Sequence, residues 1–173
     1  LATGWHLTRR FWSSLRPGPP SATDEEWALQ HLNPGQQLIW ARLTNPDRRH
    51  AVGVGRSVAA ALDLRPGSEV VTAALMHDCG KLVSQLRTPA RVVATLVWSA
   101  LDDGLAVDWL ESRWSLLRRL AQYRCHPQLG GLLLAAAGSA PTVVAWASEH
   151  HLKPESWTLP PEIATVLKAC DDD

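Results

Sequence analysis

Proline opens segment after segment of this chain. Pro34 starts a run to about Leu43, and Asn45-Pro46 starts one to about Leu62. Thr88-Pro89 opens another through Ala100, Pro141 one to about His151, and Pro160 or Pro161 the last. Proline in the first helical turn gives up an N–H that has no intrahelical partner there, so this placement suits helix starts. Asn45 reads as the N-cap of its segment. Residues 22 to 31 open with the acids Asp24, Glu25 and Glu26, which favour a helix N-terminus. Pro66-Gly67-Ser68 is a turn, and the helix after it, EVVTAALMHDCGKL, is expected to end near Gly80. Val52, Gly55, Ala59 and Leu62 recur at helical spacing, as do Trp109, Leu110, Trp114, Leu117, Leu120 and Ala121. The second set predicts one amphipathic helix over 107–124. No run alternates between hairpin turns as a strand does. The expected fold is all-α, a helical bundle.

A length of 173 residues sets one domain as the expectation. Residues 1–44 read as a helical extension packed on a core of 45–173. In that extension WHLTRRFW is a candidate short helix and RPGPPS a linker. The formal net charge is zero. That balance gives no electrostatic footprint for a nucleic-acid polymer or an anionic membrane. A small phosphorylated substrate stays compatible, because a metal site brings its own positive charge. Residues 128–148 carry no charge, but Gly130, Gly131, Gly138, Ser139 and Pro141 break them into two short helices rather than one membrane span. The Arg- and Trp-rich start does not read as a secretory signal. Cys79, Cys125 and Cys170 form no CxxC pair, so a reducing, cytoplasmic setting is expected. They read as small residues packing behind a site. Most of the nine tryptophans are expected to fill the core.

Five pieces far apart in sequence offer metal donors. They are His50, His77-Asp78 within HDCGK, His126 within HPQLG, His150-His151, and Asp171 near the C-terminus. Imidazole with carboxylate suits first-row transition metals. Taken singly, each histidine is a common core residue; the ordered combination points to a site between the central helices. Consecutive helical residues diverge by about 100°. His77 and Asp78 therefore share a site only by overhanging it from one rim, or with Asp78 reaching a second ion. A carboxylate has two oxygens to bridge with, whereas a neutral imidazole binds one ion. His6 and His31 fit no part of the set and read as surface residues. Lys81 lies one turn after His77, so its ammonium can face the same opening. Arg48, Arg49, Arg87 and Arg124 are candidate phosphate contacts by guanidinium geometry.

The order of these pieces resembles the HD-domain superfamily of metal-dependent phosphohydrolases, and within it the HD-GYP branch, which cleaves cyclic dinucleotides. The matching strings are RRHAVGVGR around His50, HDCGK, HPQLGGLLL, EHH at Glu149 to His151, and KACDDD with Asp171. They span roughly residues 46 to 173, which makes 45–173 the expected HD domain. The chain departs from the branch after His151, where LKPESWTLPP carries neither the following glutamate nor the GYP loop. Pro46 stands where some members have a glutamate for a third metal. The resemblance thus implies two divalent transition ions, with iron, manganese, zinc, cobalt and nickel all open. One would take His50, His77, Asp78 and Asp171. The other would take Asp78, His126, His150 and His151, with Asp172 or Asp173 as alternatives to Asp171. It implies hydrolysis of a phosphomonoester or phosphodiester, a nucleotide or cyclic nucleotide among them. Asp78 and Lys81 are then the catalytic candidates, and Lys81 and Arg124 the substrate-binding ones. The alternatives are a di-iron HD-family oxygenase and a non-catalytic HD-type regulatory or interaction module.

Overall fold

A computed structural model describes residues 18–172 apart from Pro66, Asp102 and Asp103. Those residues are helical or connecting, with no strand among them. The candidate WHLTRRFW helix, His6 and Asp173 lie outside the described residues. The elements are α1 (Ala22–Gln30), α2 (Pro34–Trp40), α3 (Asn45–Ala61), α4 (Glu69–Met76), α5 (Lys81–Ser84), α6 (Thr88–Ser99), α7 (Gly104–Leu110), α8 (Ser115–Arg124), α9 (His126–Ala136), α10 (Pro141–Glu149) and α11 (Pro161–Asp172). A 3-10 turn, Pro154–Ser156, lies between the last two.

Local chemistry sets the helix starts. Ser21 accepts the Asp24 N–H, and Asn33 forms a reciprocal capping box with Gln36 just ahead of Pro34. Each such cap satisfies an orphan donor of the first turn and contributes about 1 kcal/mol. The cap of α3 is Thr44 rather than the expected Asn45. The Thr44 hydroxyl reaches the Asp47 N–H, which leaves Asn45 to accept from the Arg48 guanidinium at 2.7 Å.

Helix α4 is the hub. Val71, Thr72, Ala73, Ala74, Leu75 and Met76 are all buried, and the helix packs against α3, α10 and α11. A helix apolar on all sides belongs in a core. Val58 of α3, Trp146 and Ala147 of α10, and Ala164 and Leu167 of α11 close around it. Trp40 and Trp146 fill the interior as expected, while Trp114 is exposed. Trp98, Ala106 and Ala121 make a second, smaller cluster of α6, α7 and α8.

Two glycines bring the motifs of α4 and α9 together. A Cβ on Gly80 would lie 2.6 Å from the Gly130 nitrogen and closer still to the His126 carbonyl oxygen. Only a residue without a side chain lets the HDCGK turn rest on the first turn of α9. Cys79 is buried behind this contact, its thiol 3.8 Å from the Gly130 carbonyl oxygen, as a packing residue should be.

Three further expectations are corrected. The helix over 107–124 is two, broken between Leu110 and Ser115. The Ser112 hydroxyl accepts the Trp114 N–H at 3.2 Å, and the Ser112 carbonyl accepts from Arg118 at 2.8 Å. Such side-chain bonding offers the backbone an alternative to the helical ladder. The break folds α7 back on α8. The α4 helix ends at Met76, before the HDCG residues rather than after them. His31 is buried, not on the surface. Its Nδ1 accepts the Gly67 N–H at 3.2 Å, its carbonyl accepts the Thr72 hydroxyl at 2.7 Å, and Trp27 packs on its ring.

Candidate metal centre

Three of the predicted donors stand at helix ends in the same way. His77 follows α4, His126 follows α8, and His150 follows α10. Each ring turns back on the helix that precedes it. Nδ1 of His77 meets the Ala74 carbonyl at 2.8 Å, that of His126 the Tyr123 carbonyl at 2.7 Å, and that of His150 the Ala147 carbonyl at 2.9 Å. A carbonyl only accepts, so each Nδ1 carries a proton and donates it. Those carbonyls lie in last turns, where the helix leaves its acceptors unpaired. The bond fixes each ring and turns Nε2 into the site, as the outer hydrogen bond of a metal-ligating histidine does. All three Nε2 atoms are buried without a hydrogen-bond partner.

Asp78 lies between them. The backbone tightens here into successive i→i+3 bonds, Cys79 N–H to Met76 O at 3.0 Å and Lys81 N–H to Asp78 O at 3.0 Å. This overwinding carries Asp78 into the space that its neighbour His77 also faces. Its Oδ1 is 3.2 Å from His126 Nε2 and 3.5 Å from His150 Nε2. Its Oδ2 is 3.4 Å from His77 Nε2 and also pairs with Lys81 Nζ. Asp171 of α11 places Oδ1 3.1 Å from His50 Nε2 and 3.4 Å from His77 Nε2. His151 sits at the exposed rim, its ring 5.1 Å from that of His126.

All seven predicted donors are therefore neighbours. The donor atoms of Asp78, His126, His150 and His151 lie within 4.8 Å of one another, and so do those of His50, His77 and Asp78. Asp78 is common to both groups. Of the tandem aspartates, Asp171 points in, while Asp172 is exposed and pairs with Lys168 at 2.9 Å.

The electrostatics suit cation binding. Burial would raise Asp78, but the nearby charges of Lys81 and His77, with His126 and His150 close by, hold its carboxyl well below the usual range. Asp171 is likewise held low, against burial, by His50 and His77. Burial keeps His150 below its ordinary value, and burial with the neighbouring His150 and His126 pushes His151 down to about 3. These groups are already in the ligand form. His77 is the exception: burial pulls it down, but Asp78 and Asp171 outweigh that and bring it up to about 10. A cation would displace that proton.

The predicted phosphate contacts divide. Lys81 and Arg124 both line a cleft of about 320 Å³ that opens beside His126 and His151. Arg48 is turned away to Glu25, Arg49 donates to the Gly18 carbonyl, and Arg87 is exposed ahead of α6. Three residues were not anticipated. Trp98 and Tyr123 line the same cleft. Arg91 of α6 forms a two-pronged pair with Asp47, at 2.5 and 2.9 Å, that ties α6 to the first turn of the helix bearing His50. Tyr123 had a signal, since it precedes His126 by three residues, the spacing that lets its carbonyl take the ring N–H. Arg91 had none.

No family model, curated protein or solved structure matches the chain. The donor chemistry stands on its own. Five imidazoles and two carboxylates suit iron, manganese, cobalt, nickel or zinc, and are poor for calcium or magnesium, which prefer oxygen throughout. The three buried Nε2 atoms without partners are what such a site needs.

Proposed function

We propose that this chain is a metal-dependent phosphohydrolase of the HD-domain type, acting on small phosphate esters at a centre of two transition-metal ions. The observation that carries the reading is the division of Asp78. One oxygen faces His126 and His150, and the other faces His77. A carboxylate so divided suits a bridge between two cations. His50, His77, Asp78 and Asp171 would hold one ion, and Asp78, His126, His150 and His151 the other. When bound, such ions supply Lewis-acid charge to a phosphoryl oxygen and make water nucleophilic at neutral pH.

The chain's own groups supply the rest. Lys81 balances the largely buried carboxylate of Asp78 and lines the cleft, so a phosphate oxygen arriving there competes for the ammonium. Arg124 offers a second cation in the same wall. The carbonyls of Ala74, Tyr123 and Ala147 keep three imidazoles from rotating, so the donors need little rearrangement on binding.

The test is hydrolysis of 4-nitrophenyl phosphate and bis(4-nitrophenyl) phosphate by protein reconstituted with manganese, iron, zinc, cobalt or nickel. The reading expects turnover that chelator removes and metal restores, and that Asp78→Asn abolishes. Oxygen consumption by the iron-loaded protein without phosphoester turnover would favour the oxygenase alternative. Neither activity, in protein with full metal content, would favour the non-catalytic module.

A further inference from the structure

The cleft beside the donor cluster is one-sided. His126 and His151 line it, and both belong to the donor group that includes His150; His50, His77 and Asp171 do not line it. A substrate entering there meets the His126–His151 side first. Lys81 and Arg124 place cations in the wall, and Trp98 and Tyr123 place aromatic rings in it. Both rings are held. The Trp98 indole N–H donates to the Leu120 carbonyl at 2.9 Å and its ring tilts on Trp109 at 5.2 Å. Tyr123 stacks on His126 with centroids 5.7 Å apart and planes 28° apart. An apolar, aromatic wall thus stands next to the cations without needing to be ordered by a ligand.

Size narrows the occupant. A volume of about 320 Å³ is at the small end for ligand pockets, which run from roughly 300 to 1,000 Å³. It has room for a phosphate with one ring system. We propose that this cleft holds the leaving group of a phosphate monoester carrying a single aromatic ring system. The inference rests on the phosphohydrolase reading. The reaction balances without another reactant: the water oxygen bonds to phosphorus, the ester P–O bond breaks, and the departing oxygen takes a proton from water. The products are inorganic phosphate and the aromatic alcohol.

The test is calorimetric binding to the metal-reconstituted chain, using methylphosphonate and benzylphosphonate, whose C–P bonds are not hydrolysed. Aromatic stacking predicts that benzylphosphonate binds roughly 10-fold tighter or more. Thr95 and Ser99, exposed residues of α6, also line the cleft and are not among the donors. Thr95→Phe and Ser99→Phe should each abolish the preference by filling the cleft. Equal binding of the two phosphonates, or a preference that survives both substitutions, would overturn the assignment. Failure of both phosphonates to bind at all would instead remove the phosphohydrolase reading beneath it.

Discussion

Gly80 and Gly130 meet backbone to backbone. A Cβ on Gly80 would lie 2.6 Å from the Gly130 nitrogen, whereas a Cβ on Gly130 would lie 3.2 Å from the Gly80 nitrogen. The contact holds the turn bearing His77 and Asp78 against the helix that starts with His126. The two motif glycines are one packing requirement.

The asymmetry of those distances gives a prediction. Gly80→Ala should destabilise the fold by about 3 kcal/mol, because backbone must move to admit the methyl group. Gly130→Ala should cost clearly less, since its neighbours need to yield only slightly. Urea denaturation of both variants checks the order; equal costs, or a larger cost at Gly130, would contradict the packing described.

Arg91 and Asp47 should behave as a coupled pair. Both side chains are largely buried, at 11% and 13% exposure. Arg91→Ala leaves the Asp47 charge largely buried without its guanidinium and should cost about 3 kcal/mol. Asp47→Ala combined with it should cost much less than the sum of the two single changes. Strict additivity in the double-mutant cycle would show that the pair does not tie α6 to α3.

Much of this was legible in the sequence, and what was not has a physical reason. Prolines mark first turns whatever the tertiary context, so the starts of α2, α3, α6 and α10 could be read directly. The seven donors could be grouped because their strings follow one another in a recognisable order, although each histidine taken singly reads as a core residue. The break at Ser112 could not, because a hydroxyl bond to the Trp114 N–H competes with a helix that the apolar spacing favours equally well. His31 looked like a surface residue because its burial depends on Gly67, more than thirty positions later, folding back to donate to its ring. Trp98 joins the cleft only through the packing of α6 on α8, which no local pattern encodes.

Metal-free protein should lose stability as pH rises. The folded His77 holds its proton up to about 10, above the ordinary 6.5. A raised histidine contributes stability that is fully present below 6.5 and lost as pH rises through the folded value. Denaturation midpoints in chelator should therefore fall between these limits. The metal-loaded protein should be flat over the same range, because its His77 no longer titrates. A flat profile in chelator would contradict the proton assignment.

Lys81→Met should leave metal content intact and bind metal at least as tightly, since the ammonium and a cation compete for Asp78 Oδ2. The same variant should raise KM for a phosphoester more than it lowers kcat. Loss of metal on this substitution would contradict the assigned role of Lys81 as a phosphate contact.

The central claim is that Asp78 joins two donor groups into one two-ion centre. The most direct measurement is elemental analysis of the reconstituted protein, with ions counted per chain in the wild type, His126→Ala and Asp78→Ala. The account predicts close to two transition ions in the wild type, one in His126→Ala and none in Asp78→Ala. A wild type with no ion after reconstitution, or an Asp78→Ala protein that keeps its full complement, would contradict it.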